Sequence, residues 1–447
     1  MALWTVHGDG RRLGDGEVVG PDERLSWPLT AGVGLQHVAA MLGATVLVPV
    51  LTGFPVSTTL LFSGVGTLLF VLVTRNRIPS YLGSSFAFVA PLVASANQGL
   101  AAQLGGVLFA GILVTVIGVA VKALGIRLID SVMPPVVTGA VIALIGLNLA
   151  PAAGARVSHA PWIAAVTLLV LGLCAVLSHG LLVRLSVLAG VVAGWLVAAV
   201  TGGIDPARVA ALQNAAWLGI PELHQPALGT SVMLGVLPAV VVITAQNVGY
   251  VKAIGTVTGR DLDGNVGDAL IANGLATALS GAGGGSGLVP LGENVGVMAA
   301  TKVHSTAAYV VAAAGAIALS FSPKVAALVE TLPDGVIGAI SLVLFGTVVM
   351  IGVRVWLDNH VDLADPLTMM VAGAAIVAGA GDLTIDLGWL RLGGIAWGSL
   401  LIVLGHPLLR TLRAFRFRHR PADRPHQARP RVDETGVELH EAGPGVQ

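Results

Sequence analysis

Two short stretches constrain this chain more than any other feature: Gly83-Ser84-Ser85-Phe86-Ala87-Phe88 and Gly292-Glu293-Asn294-Val295-Gly296. Each places glycine and polar side chains where an apolar helix would otherwise run on. Their setting makes them conspicuous, since 55% of the 447 residues are hydrophobic and only 11% are charged. A soluble domain carries about 25% charged residues; with a mean hydropathy of +0.86, this chain has a surface suited to lipid. Non-helical backbone survives at membrane depth only where protein or a cavity satisfies its N–H and C=O groups. In secondary transporters, broken segments at matching positions in two halves mark the substrate site. The pattern implies a polytopic transporter whose ligand sits between two interrupted helices.

Apolar segments able, or nearly able, to cross about 30 Å of hydrocarbon fall at 27–50, 56–74, 81–95, 104–123, 131–151, 160–178 and 182–200. A second group falls at 231–253, 266–281, 289–300, 305–321, 331–353, 367–385 and 389–408. The expected fold is therefore an all-α polytopic membrane protein of about fourteen transmembrane segments. The third and tenth are short and broken. An odd number of spans per half turns the second half upside down, so the expectation is a 7+7 inverted repeat.

Charge placement supports this topology. With both termini in the cytoplasm, only Arg156, Arg208, Lys324 and Arg391 of the 24 basic residues fall on the outer side. That is the positive-inside bias, and the expected location is a bacterial-type plasma membrane. The formal net charge is zero, and a nucleic-acid partner would call for a basic stripe. The single cysteine, Cys174, excludes an intramolecular disulfide framework. Residues 1–26 read as a polar cytoplasmic tail and 409–447 as a second tail, disordered beyond Pro421.

The chemistry concentrates around the breaks. Two half-helices meeting near Ser84–Phe86 and Gly292–Glu293 would offer free N–H groups to a small polar ligand. Glycine at 83 and 292 lets a flat ligand approach the main chain. Gly281 to Gly287, with Pro290, reads as extended chain feeding the second half-helix. A phosphate-cradling loop is the competing reading, but no Gly-Lys-Ser/Thr follows. An intramembrane carboxylate is a functional-site hypothesis by default, so Glu293 leads; the alternatives are a helix cap or an ion pair with Lys302. Gln246 donates and accepts at once, matching a lactam edge, or else packs as an interhelical amide. Tyr250, one turn on, either stacks on a ring or simply packs. His37 is a proton-shuttle candidate beside Glu293, or a hydrogen-bond partner of a neighbouring span.

These residues carry a resemblance. Glu293-Asn294-Val295-Gly296 followed by Thr301-Lys302, Gln36-His37, Tyr81 to Phe88, and Ile145-Gly146-Leu147 resemble the motifs of the nucleobase/ascorbate transporter family, and most of all its bacterial uracil permeases. The likeness runs from Leu25 to Leu408. It implies a core domain (27–123 and 231–321) and a gate domain (131–200 and 331–408), with strand-like breaks in spans three and ten. It further implies a homodimer, and a nucleobase held by Phe86, Gly292 and Glu293, with Ala44 against it and Ser85, Gln246 and Tyr250 nearby. The expected driving ion is H⁺, with no cofactor and no metal.

This chain departs from the uracil-permease pattern in three places. Gln246 stands where those proteins carry glutamate, Tyr250 where they carry histidine, and Leu291 where they carry an aromatic residue. A glutamine cannot titrate, so proton coupling falls to Glu293 with His37. The altered pocket leaves uracil and purines such as xanthine both open. An uncoupled facilitator, or an anion carrier of the same fold, is the alternative. Neither a His-Glu-x-x-His motif nor a Gly-x-Ser-x-Gly within a span is present, which argues against an enzyme.

Overall fold

In a computed structural model the chain folds as long helices joined by short turns, and two of its helices are preceded by a short strand instead of continuing as helix. The structure describes residues 4–11, 13–14, 17–126, 134–178, 185–381, 383, 385–386, 391–392 and 394–418. The first half contains α1 (Trp27–Thr52), α2 (Val56–Val73), β3 (Leu82–Ser84), α3 (Val89–Ala94), α4 (Leu100–Leu124), α5 (Pro135–His159), α6 (Pro161–Leu177) and α7 (Ser186–Thr201). A bent extension, α8 (Pro206–Asn214), follows, then α9 (Thr230–Gly235), α10 (Leu237–Thr258) and α11 (Val266–Gly283). The rest comprises β4 (Leu288–Pro290), α12 (Gly292–Thr301), α13 (Thr306–Ser320), α14 (Pro323–Glu330), α15 (Asp334–Asp358), α16 (Pro366–Ala380) and α17 (Gly394–Arg418). Two further strand pairs are β1 (Thr5–Val6) with β2 (Glu23–Arg24) and β5 (Ile385–Asp386) with β6 (Arg391–Leu392).

Among the described residues, six helices are long and apolar enough to cross a membrane, or up to eight if each bent pair counts as one span. The six are α1, α2, α4, α5, α10 and α15. Helices in lipid keep every backbone group bonded internally, which is why apolar sequence alone suffices to write them. Large side chains such as Val200, Val176, Leu72 and Val377 remain exposed on the outer surface, as a lipid-facing wall requires.

Packing follows a rule of exchange. Numbering the apolar stretches in order and swapping each with the one seven later converts one observed helix contact into another. Thus α2 packs on α13 and its counterpart α11 on α4; α1 packs on α13 and α10 on α4. Likewise α6 with α7 corresponds to α16 with α17, and α5 with α16 corresponds to α15 with α6. Helices α5 and α15 are each other's counterparts and pack along one another. Their backbones nearly touch: a Cβ on Gly352 would lie 2.5 Å from the Gly139 carbonyl oxygen and 2.8 Å from the Ala143 nitrogen. Small residues at such crossings replace the hydrophobic drive that helices lack in lipid.

Three boundaries differ from those expected. Residues 281–283 finish α11 as helix, and only Gly284, at φ +110°, breaks it. Helix α17 runs through Arg418, ten residues past the expected end of the last span, because Leu and Arg alternate there with helical spacing. The described part of 4–26 is folded onto the helices, with Val19 fully buried. The expected disorder beyond Pro421 lies outside the described residues.

Candidate functional site

Strands β3 and β4 cross in the middle of the helical body and pair antiparallel, Leu82 with Pro290, Gly83 with Val289 and Ser84 with Leu288. The pairing continues one bond beyond each end. Ser85 N–H donates to the Gly287 carbonyl (2.9 Å), and Leu291 N–H donates to the Tyr81 carbonyl (3.0 Å). Three residues per strand make too short a sheet to stand alone, and side chains from neighbouring helices complete it. Leu82 N–H donates to Thr67 Oγ1 (2.9 Å), and at the equivalent place Leu288 N–H donates to Thr277 Oγ1 (3.2 Å). Ser63 Oγ donates to the Leu82 carbonyl (2.6 Å) and Ser280 Oγ to the Ser286 carbonyl (2.6 Å). Ser84 Oγ donates to the Thr45 carbonyl (3.0 Å) and sits 2.8 Å from Ser286 Oγ. Outward-facing groups of Leu82 and Leu288 are thus bonded to hydroxyls of the flanking helices.

Glycine is required where the strands pass. A Cβ on Gly83 would lie 2.5 Å from Leu291 Cδ1 and 2.6 Å from Thr45 Oγ1. On Gly287 it would enter the ring of Phe88.

Beyond the crossing, each strand turns into a helix within two residues. Phe86 opens a 3₁₀ turn that leads into α3, and Gly292 opens α12. The first N–H groups of a helix have no partner within it, so two sets of donors flank the crossing. Glu293 lies in the first turn of α12. It lines a small, largely apolar recess together with Ala39, Ala40, Gly43 and Ala44 of α1, Leu185, Val187 and Leu188 at the start of α7, and Leu344 of α15. The Phe86 ring meets Phe345 of α15 edge to face, with centroids 6.4 Å apart. Tyr250 packs against the start of α12: a Cβ on Gly292 would be 3.2 Å from its Cε1 and 3.4 Å from its hydroxyl oxygen. Gln246 Oε1, Ser85 Oγ and Thr45 Oγ1 are buried with no hydrogen-bond partner. Leaving such a group unpaired costs about 1–3 kcal/mol.

The sequence-predicted residues therefore fall into three places. Ala44, Ser85, Phe86, Tyr250, Gly292 and Glu293 gather around the crossing, with Gln246 one turn before Tyr250 on α10. His37, Asn294 and Tyr309 form a separate cluster behind. Asn294 Nδ2 donates to His37 Nδ1 (3.1 Å) and to the His37 carbonyl (3.0 Å). The His37 ring lies 4.3 Å from that of Tyr309, whose hydroxyl donates to the Asn294 carbonyl (3.3 Å). Gly296 is buried two residues farther along α12, and Gln36 Oε1 is buried without a partner among the described residues. Thr301 and exposed Lys302 close the far end of the helix. Lys302 is nine residues from Glu293, about 13 Å along a helix, and no ion pair joins them among the described residues.

Thr67, Thr277, Ser63, Ser280 and Tyr309 were not singled out in the sequence. Their signal was available: hydroxyls in mid-helix, beside each break, in otherwise apolar segments. Among the described residues, no group of three or more His, Cys, Asp or Glu is placed to hold a metal.

Two half-helices meeting at a buried strand crossing, beside a recess with a carboxylate, form the arrangement expected of a transporter site. The chain matches the Permease family (Xan_ur_permease) over residues 30–387 and belongs to it. It is 43% identical over 406 residues to a relative named pyrimidine permease RutG of Escherichia coli (strain K12), covering 88% of this chain and 92% of that one. It is 35% identical over 396 residues to the uracil permease of the same organism, covering 86% and 92%. With the uracil permease of Bacillus caldolyticus it shares 36% over 387 residues, covering 83% and 89%. Among solved structures, the overall structure of SLC26A9 superposes with a TM-score of 0.62 at 10% identity, covering 86% of this chain and 66% of that chain. The transmembrane domain of the cyanobacterial bicarbonate transporter BicA gives 0.54 at 15% identity, covering 79% and 96%. At such identities the likeness is one of fold.

Proposed function

We propose that this permease moves a nucleobase, uracil or a purine such as xanthine, across the plasma membrane by alternating access. The observation that carries the reading is Glu293, a carboxylate in the first turn of a half-helix beside the strand crossing, facing the recess with Ala44. An ionised carboxylate only accepts hydrogen bonds and suits ring N–H donors. The unpaired Gln246 amide oxygen complements it on the same kind of edge, and backbone N–H groups at Phe86 and Gly292 meet ring carbonyls. Tyr250 stacks on or closes over the base. The names of the relatives support the substrate class.

The packing exchange between halves supports fourteen crossings as a 7+7 inverted repeat, with both termini on the cytoplasmic side. In this reading a core of spans one to four and eight to eleven moves against a gate formed by the rest, and two copies pair through their gates. Coupling to H⁺ rests on Glu293, since Gln246 cannot titrate. His37, bonded to Asn294, holds α1 against α12 and acts on coupling through that helix.

Binding of radiolabelled uracil and xanthine to purified protein tests the assignment. Saturable binding of one of them that is lost in Glu293→Ala is expected. Unchanged affinity in that variant would overturn the role given to Glu293.

A further inference from the structure

The N-terminal segment carries an architecture that the transport reading does not use. Strand β1 pairs parallel with β2, Thr5 opposite Glu23 and Val6 opposite Arg24. His7 N–H donates to the Arg24 carbonyl (2.9 Å) and Ser26 N–H to the Gly10 carbonyl (2.7 Å). The folded strap is then sewn onto the turn between α12 and α13. Val19 N–H donates to the Lys302 carbonyl (3.0 Å), and His304 N–H donates back to the Val19 carbonyl (2.9 Å). Thr306 gives both its N–H (3.1 Å) and its hydroxyl (2.8 Å) to the Pro21 carbonyl. Ser305 Oγ donates to the Glu23 carbonyl, and Trp4 Nε1 donates to Thr306 Oγ1 (2.7 Å). Arg260, just past α10, pairs with Asp22 at 3.1 Å. Val19, Leu25, Val33, Val303 and Ala308 form a small apolar core of their own beneath it.

What the strap grips is the closed end of the helix whose open end carries Gly292 and Glu293. Helix α12 has ten residues, a length at which an isolated helix is barely stable. It stops at Lys302, which holds φ +57° although it is not glycine; side chains rarely adopt that conformation unless surroundings impose it. The carbonyl of that residue is the one Val19 binds.

We infer that the N-terminal strap is a positioning device for the ligand site: by pairing Val19 with Lys302 and His304 and clamping Ser305 and Thr306, it fixes the far end of α12 and thereby the place of Gly292 and Glu293. Val19, Pro21 and Trp4 are positioning residues in this scheme. The Asp22–Arg260 pair ties the same strap to the end of α10, which carries Gln246 and Tyr250, so both ligand-facing helices are referenced to one element. The inference rests on the nucleobase reading only for its binding arm.

The experiment uses full-length protein in lipid nanodiscs, comparing wild type with Val19→Asp, Val19→Ile and Trp4→Ala. Hydrogen exchange is followed in three segments, 17–25, 292–301 and 266–283, alongside the dissociation constant for radiolabelled uracil or xanthine, whichever wild type binds. Val19→Asp places a charge at a fully buried position and releases the strap. Exchange in 292–301 should then rise at least tenfold while 266–283 stays at the wild-type rate, and affinity should fall severalfold. Val19→Ile should behave as wild type. Three results would overturn the inference: a loosened strap with unchanged exchange in 292–301, an equal rise in all segments, or faster exchange in 292–301 with unchanged affinity. Should Val19→Asp fail to fold, Trp4→Ala, altered at the rim of the strap, decides by the same readings. If wild type binds no nucleobase, that result counts against the proposed substrate, while the exchange of 292–301 still decides whether the strap holds α12.

Discussion

The two halves of the crossing differ far less in framework than in chemistry. Leu82 and Leu288 occupy equivalent places, each with its N–H donated to a threonine, Thr67 or Thr277, of the preceding helix. The serines beyond them differ: Ser63, one turn before Thr67, binds the Leu82 carbonyl, whereas Ser280, one turn after Thr277, binds the Ser286 carbonyl. At the next equivalent place the halves part company. After β3 comes Phe86, whose ring leans on Phe345 across the molecule; after β4 come Gly292 and Glu293, with Tyr250 against the bare backbone. The scaffold is built twice and the carboxylate once. In the proposed reading, a two-fold framework supplies donors from both sides, and only one side sets the charge that the ligand meets.

The sharpest way to break the comparison is Glu293→Ala. Nucleobase affinity should fall by roughly a hundredfold, the upper end of the ~1.5–3 kcal/mol carried by a hydrogen bond to a charged group; equilibrium binding checks it. Phe86→Ala, the equivalent change in the other half, should cost much less affinity because its backbone contact survives. Next in size is Gly83→Val, which forces side-chain atoms into Leu291 and Thr45 and should cost about 1–3 kcal/mol of overpacking, read as a lower melting temperature in detergent.

Thr67→Val and Thr277→Val test the symmetry itself. Each leaves one strand N–H unpaired, at about 1–3 kcal/mol, and the two should lower the melting temperature alike. A large disparity would mean the crossing is held from one side. Gln246→Leu should weaken binding about two- to twelvefold, the worth of a net hydrogen bond of ~0.5–1.5 kcal/mol, without altering stability to the same degree.

The smallest effect lies outside the membrane, in the strap. The hydrogen bond His7 makes to the Glu23 carboxylate raises the His7 pKa above 6.5, and the Gly20 N–H donating to Glu23 holds that carboxyl below its usual value. A raised histidine contributes stability that is complete below its unfolded pKa and is lost as pH climbs through the higher folded value. The pair is near the surface, so the contribution is about 0.2–1 kcal/mol after screening. Relative to the intrinsic base-catalysed rate, protection of residues 17–25 should fall modestly above neutral pH, and His7→Asn should remove that extra loss.

The membrane made much of this molecule legible in its sequence. Lipid forces uninterrupted apolar runs, so helix positions could be read directly, and a break within a run had to mean protein-lined backbone. That is why Ser85, Phe86, Gly292 and Glu293 stood out before any contact was known. Pairing partners were not readable, because strands of three residues carry no usable period. Hence the antiparallel register of β3 on β4, and the bond from Asn294 to His37, emerged only in the structure. The strap escaped notice for the same reason, since β1 and β2 have two residues each and polar neighbours. Residues 281–283 misled because glycine-rich sequence usually ends a helix, whereas here Gly281 stays helical to let α11 lie against Leu108 of α4.

The most direct single measurement is uptake of radiolabelled uracil and xanthine into proteoliposomes, with and without an inward proton gradient, in wild type and Glu293→Gln. Accumulation of one base above equilibrium, dependent on the gradient and abolished in Glu293→Gln, is the predicted result. Gradient-driven accumulation that persists in Glu293→Gln would contradict the central role of that carboxylate, and uptake of neither base would contradict the substrate assignment.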